Sequence, residues 1–247
     1  MSLYPIAPID FTALRTVPLA ARGGKVKVAD FATPYQAGAG VEGLLRSMPR
    51  ILAGDSLRAV VAAILAARAA GKPVVWGLGG HVVKCGLAPV LIDLMERGCA
   101  TAFAMNGAAA IHDFEIALAG HTSEDVEMAL PDGSFGAAEE TGREMNQAVA
   151  AAEDSVGMGE ALGRRLDQIA DPQFAPGSLL VQAWRRRVPV TVHVAVGADT
   201  PHTHPAVDPA ALGRATHHDF RLFAALVREL DQGGVYLNIG SAVVLPE

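Results

Sequence analysis

The chain is 247 residues long and 51% hydrophobic, which supports a sizeable core and fits one large domain or two small ones. Its 20 Lys and Arg against 26 Asp and Glu give a net charge of −6, the wrong sign for a generic binder of phosphate backbones, so nucleic acid is not an expected partner. Cys85 and Cys99 are too few for a disulfide framework and point to a reducing compartment, the cytoplasm by default. The alanine-rich run 59–70 carries Arg68 and is too short for a bilayer, so no membrane association is expected.

Residues 1–50 mix Pro, Gly and scattered charge without sustained periodicity, which reads as an irregular N-terminal arm with one short helix near 41–48. From Asp55 the pattern sharpens. Leu57, Val60, Val61, Ile64 and Leu65 fall on one helical face, Asp55 or Ser56 can cap the start, and Gly71 closes the end. A buried strand over 73–78 follows. Next comes a helix with the apolar stripe Leu87, Val90, Leu91, Leu94 and Met95, starting near Gly86 because Pro89 is tolerated only in a first turn.

A second strand, 101–105, leads through Asn106 to Ala110 into a helix that ends at Gly120. The stretch 122–187 reads as mostly helical, with Ser123 as a cap, a turn at Pro131-Asp132-Gly133, and Leu162, Leu166 and Ile169 at helical spacing. A strand over 189–196 precedes a polar, histidine-rich loop. Phe220, Phe223, Ala224, Val227 and Leu230 then form a helix face before a last strand that begins at Val235. Strands alternating with helices through short links predict an α/β fold: an open, mainly parallel, Rossmann-like sheet with helices on both faces. We assign it to 51–247 as one domain and expect the arm to complete a contact in a homo-oligomer. A last strand with so little after it leads us to expect a domain lacking its C-terminal end.

One arrangement recurs three times: an apolar run followed by glycine and small residues. The copies end in Gly77-Leu78-Gly79-Gly80-His81, Met105-Asn106-Gly107-Ala108-Ala109 and Asn238-Ile239-Gly240-Ser241-Ala242. In a parallel sheet such strand ends share one edge, where bare backbone amides and helix N-termini approach a phosphate. Gly79, Gly80, His81, Asn106, Gly107 and Ala108 are therefore the candidate cofactor-binding residues, although tight packing would also call for glycine here and neither N-terminal turn is a clean G-x-G-x-x-G.

Other residues carry chemistry. His112 beside Asp113 suits proton transfer, while Asp113 near a helix start also suits capping. Five of the eight histidines, His193, His202, His204, His217 and His218, fall within 26 residues together with Asp199, Asp208 and Asp219, a loop able to bind substrate or a divalent metal, though without H-E-x-x-H or C-x-x-C. Glu139, Glu140 and Glu144 could hold a polyamine or form a solvated helix face. Arg185, Arg186 and Arg187 read as a helix C-terminus, and Cys85 beside Lys84 as a small buried residue.

These residues resemble the deoxyhypusine synthase family, in particular its bacterial deoxyhypusine synthase-like branch, over about 55–247 and most closely over 73–119. The family's strand followed by an S-N-x-x-S-x-G turn corresponds to Gly80-His81-Val82-Val83-Lys84-Cys85-Gly86, with the glycine kept and the serines and asparagine replaced. Its T-A-G-G-V-E-E-D corresponds to Asn106-Gly107-Ala108-Ala109-Ala110-Ile111-His112-Asp113, where Ile111 and His112 stand in place of glutamates. A T-D-G segment resembles Ala198-Asp199-Thr200. G-G-G-V-V-K-H-H resembles Gly240-Ser241-Ala242-Val243-Val244-Leu245-Pro246-Glu247, with Glu247 at a histidine position. The family's catalytic lysine lies further toward the C-terminus than this chain reaches, and Lys84 is not that lysine.

The resemblance implies NAD as cofactor, a homotetramer, and transfer of an alkylamine group from a polyamine through an imine. It makes His112, Asp113, Asp199 and His204 the candidate catalytic, substrate-facing residues and assigns no metal. Two other readings remain open: a metal-dependent enzyme built on the 193–219 histidine loop, and a non-catalytic nucleotide-binding protein that kept the fold and lost the chemistry.

Overall fold

The computed structural model describes residues 4–242 and 245. The chain divides into two compact units, Met1–Val60 and Val61–Glu247. In the first, short 3-10 turns at Leu19–Ala21 and Val28–Asp30 precede helix α1 (Gly40–Ser47), and helix α2 (Leu52–Ala69) begins. Few apolar side chains are shielded here, and the Arg58 guanidinium ties the backbone together by donating to the carbonyls of Leu45, Met48, Pro49 and Gly54. Helix α2 starts at Leu52, ahead of the expected Asp55 cap, which leaves Asp55 in the first turn, where a carboxylate suits the helix dipole. Gly71 ends this stretch at φ +64, a left-handed conformation that needs glycine.

The second unit is built on β1 (Val74–Leu78), β2 (Ala102–Asn106), β3 (Val190–His193) and β4 (Val235–Ile239), paired in parallel in the order β3-β2-β1-β4. Between β1 and β2 lie α3 (Gly80–Lys84) and α4 (Ala88–Glu96). Between β2 and β3 lie α5 (Gly107–Ala119), α6 (Val126–Ala129), α7 (Glu139–Ala150), α8 (Met158–Ile169) and α9 (Leu179–Arg186); α10 (Pro209–Arg228) joins β3 to β4.

The chain moves from β1 through β2 to β3, then returns across the sheet to β4 through α10, whose first half (Ala211, Leu212, Ala215) is buried with α7 and α8 and whose later residue Phe223 reaches the opposite face of the sheet. Val74, Trp76, Leu78, Phe103, Met105, Val190 and Val192 point into one core with Phe114, Leu162, Leu166, Leu179 and Leu180 from the helices. The other face carries the smaller Val75, Gly77, Ala102 and Ala104, and there Phe223 of α10 meets His193 and Tyr236 with ring centroids 5.3 and 5.8 Å apart. This is the expected α/β architecture, a parallel sheet flanked by helices.

Several boundaries differ from expectation for local reasons. Helix α5 starts at Gly107 because the Asn106 side chain caps it, accepting from the Ala109 amide at 2.9 Å, and the alanines that follow propagate a helix well. Asp125, not Ser123, caps α6, while Ser123 adopts φ +67. Strand β3 stops at His193, where its partner β2 ends at Asn106. No helix among the described residues is long and apolar enough to cross a membrane.

Candidate functional site

The carboxyl ends of β1, β2 and β4 share one edge, and the turns after them meet there. The Gly79 amide donates to the Ile239 carbonyl at 2.8 Å, and a Cβ on Gly79 would overlap the backbone of Gly240, itself at φ +72. A Cβ on Gly80 would lie 3.0 Å from the Ala108 methyl and 3.2 Å from Cδ2 of His112. The recurring glycines thus let three strand ends close on one another. The boundary between β1 and β4 is also where the connections reverse direction, the position at which open α/β sheets bind ligands.

Gly79 offers no side chain to cap α3; the Val82 amide donates to the Gly79 carbonyl at 3.1 Å, which leaves the Gly80 and His81 amides without an acceptor among the described residues. His81 itself is exposed. At the second turn the arrangement is different. The Asp199 carboxylate lies against Gly107 at the positive end of α5, and its Oδ2 accepts from the Ala195 amide at 2.9 Å. Burial pushes the Asp199 carboxyl up from its usual range, against the opposing pull of that amide and of His202.

Next to these turns lies a cavity of about 950 Å³, lined on its polar side by Lys84, His112, Glu115, Glu140, Glu144 and Asp199. Within it His112 Nδ1 is 2.7 Å from the Thr122 hydroxyl, which donates to Glu115 Oε2, and the Thr141 hydroxyl reaches Glu115 Oε1 at 3.4 Å. Burial alone would raise the Glu115 carboxyl; the bonds from His112 and Thr122, the charge of His112 and the bond from Thr141 outweigh it and hold the group below its usual range. Glu144 is paired with Arg165 and Arg143, which leaves Glu115, Glu124, Glu140 and Asp199 as carboxylates of the cavity that no arginine or lysine pairs with among the described residues.

The structure therefore brings two of the four candidate catalytic residues, His112 and Asp199, to one cavity beside the glycine turns. Asp113 points the other way. It is fully buried and accepts from the Ser178 hydroxyl and the Leu179 and Leu180 amides at 2.7 to 2.9 Å, so it caps α9. His204 packs over Gly142 of α7, accepts from the Ala206 amide at Nδ1 and meets Glu139 at 3.2 Å through Nε2. Glu247, Val243, Val244 and Pro246 lie outside the described residues.

The histidine-rich stretch is dispersed. His193 stacks edge-on against Phe223, His202 lines a void near Gly107, His204 sits on α7, and His217 leans on Phe220. Among the described residues no three His, Cys, Asp or Glu side chains gather in a group that could hold a metal. Glu115, Thr122 and Thr141 were not singled out by sequence. Glu115 follows His112 by three residues, one helical turn, which was a readable signal; Thr122 and Thr141 reach the site only through tertiary folding.

No protein-family model matches the chain, and no curated protein matches it. Among solved structures it is similar to ArgZ, an arginine dihydrolase from the ornithine–ammonia cycle in cyanobacteria, at 18% identity and a TM-score of 0.49 over 76% of this chain and 24% of that one. It is also similar to a candidate deoxyhypusine synthase from Entamoeba histolytica, at 11% identity and a TM-score of 0.48 over 87% of this chain and 93% of that one. The chain spans about a quarter of the length of the arginine dihydrolase.

Proposed function

We propose that the chain is an NAD-dependent enzyme similar to deoxyhypusine synthase, acting on an amine or polyamine-like substrate. The observation that carries this reading is the cavity itself. It adjoins the glycine turns through Ala108 and His112, and its lining contains the carboxylates Glu115, Glu124, Glu140, Glu144 and Asp199 against the two cations Lys84 and Arg143. Carboxylates in a partly enclosed site bind a substrate ammonium by charge-assisted hydrogen bonds.

The residues present fit the cofactor unequally. The Gly80 and His81 amides at the uncapped start of α3, beside the Gly79 turn, suit a phosphate. The Asn106-Gly107-Ala108 turn already faces the Asp199 carboxylate, so its role is at ribose hydroxyls or at the substrate amine, not at a phosphate. When bound, nicotinamide would supply hydride abstraction from the amine-bearing carbon. Glu140 and Asp199 would hold the substrate's ammonium groups, and His112 would face the reacting one. Asp113, enclosed against α9, would maintain the site from behind.

Incubating the protein with NAD and spermidine tests the reading: oxidation of the amine yields reduced nicotinamide, detected by its fluorescence. Nucleotide binding without reduced nicotinamide, across a panel of diamines and basic amino acids, would favour the non-catalytic reading.

A further inference from the structure

Gly120 ends α5 at φ +73 and turns the chain back, which lays Thr122 over the helix face that carries His112 and Glu115. The Thr122 hydroxyl is in contact with both, and it has a single proton to give. Glu115 is held ionised by its hydrogen bonds, and a carboxylate only accepts, so the Thr122 proton points to Glu115. The Thr122 oxygen must then accept from His112, which fixes the imidazole proton on Nδ1. The opposite arrangement would press two lone pairs together at hydrogen-bonding distance. His112 Nε2 has no hydrogen-bond partner among the described residues, and the ring lines the cavity together with Lys84, Glu140 and Asp199.

We propose that His112 is the general base of this site through Nε2, with Thr122 as the positioning residue that fixes its tautomer and Glu115 as the counter-charge behind it. The proposal rests on the amine reading given above. In the step, an N–H bond of the substrate ammonium breaks, the proton bonds to Nε2, and the electron pair stays on the amine nitrogen. The neutral amine is the form whose lone pair can drive hydride loss from the adjacent carbon. The resulting imidazolium donates through Nδ1 to Thr122, whose hydroxyl remains on Glu115, so the positive charge is met by a fixed anion without any group moving.

Nitrogen-15 NMR of the histidine rings tests this without turnover. In the unsubstituted protein, long-range ring correlations should show His112 protonated on Nδ1. Thr122→Val, which removes the hydroxyl at nearly constant shape, should move the proton to Nε2, and Thr122→Ser should keep it on Nδ1. Putrescine, used as the probe amine, should shift the Nε2 resonance more than Nδ1. An Nε2-protonated ring in the unsubstituted protein overturns the proposal whether or not the valine variant folds, as does a folded Thr122→Val protein whose tautomer is unchanged. If the Glu140 resonances respond to putrescine and His112 Nε2 does not, the base assignment falls while amine binding stands. If no cavity resonance responds, the amine reading falls and the proposal with it. Loss of NAD binding alone overturns only the cofactor assignment.

Discussion

The carboxylate of Asp199 lies directly over Gly107, so close that any side chain at 107 would occupy the same space. The contact joins the loop after β3 to the first turn of α5 and sets one wall of the cavity. Gly107→Ala should therefore cost about 1–3 kcal/mol by overpacking, and Asp199→Ala in the same chain should recover most of that loss. Denaturant unfolding of the two single variants and the double variant measures the coupling. Additive losses would mean that the two residues do not meet in this way.

Asp113 is a structural carboxylate. It faces three donors, the Ser178 hydroxyl and the Leu179 and Leu180 amides, and burial raises its pKa against the lowering effect of those bonds. Removing the acceptor strands all three donors in the core, so Asp113→Ala should cost roughly 3–5 kcal/mol. The check is the shift in urea midpoint. A variant of unchanged stability with impaired turnover would place Asp113 in the chemistry instead.

Asp219 makes a similar staple, accepting from the Gly159 and Val192 amides at 2.9 and 2.8 Å and so joining α8 and β3. Burial pushes its pKa up to about 7, opposed by the backbone amides of Gly159, Val192 and Met158 and supported by the charge of Glu160. The folded value is above the unfolded one. Its contribution is therefore fully present below about pH 4 and is lost as pH rises to about 7, by at most about 1.4 kcal/mol per pH unit. The stability of the unsubstituted protein, measured relative to Asp219→Asn by urea unfolding, should fall between pH 4.5 and 7.5. A difference independent of pH would contradict the raised value.

Much of the sheet was legible because a buried parallel strand leaves a plain mark. The runs before Gly79, Asn106 and Gly240 are short, apolar and closed by small residues, and each became a strand end at the same edge. The site was legible only in part. His112 and Asp199 announce themselves by residue type, but nothing in the sequence distinguishes a histidine aimed into a cavity from His204, turned onto Gly142. The clustering of histidines along the chain misleads for the same reason: a strand end, a 3-10 turn and a long helix send neighbouring residues in different directions. Asp113 was readable as a cap, but the helix it caps lies more than sixty residues away, at α9.

The acidic group on α7 is divided by the helix. Glu139 pairs with Arg143 and His204, Glu144 with Arg143 and Arg165, and Glu140 lines the cavity. Glu140→Gln should weaken spermidine binding severalfold, with a smaller salt dependence than in the unsubstituted protein, whereas Glu139→Gln should leave it nearly unchanged. Calorimetric titration at two salt concentrations separates the cases. Equal effects of the two substitutions would remove the cavity from the account.

The most direct test of the central claim is calorimetric titration of NAD into the protein, repeated with spermidine present. The account predicts saturable NAD binding at one site per chain, strengthened by the amine, as expected if both ligands share the edge where Gly79, Gly240 and His112 converge. Absence of NAD binding by the folded protein, with or without spermidine, would contradict it.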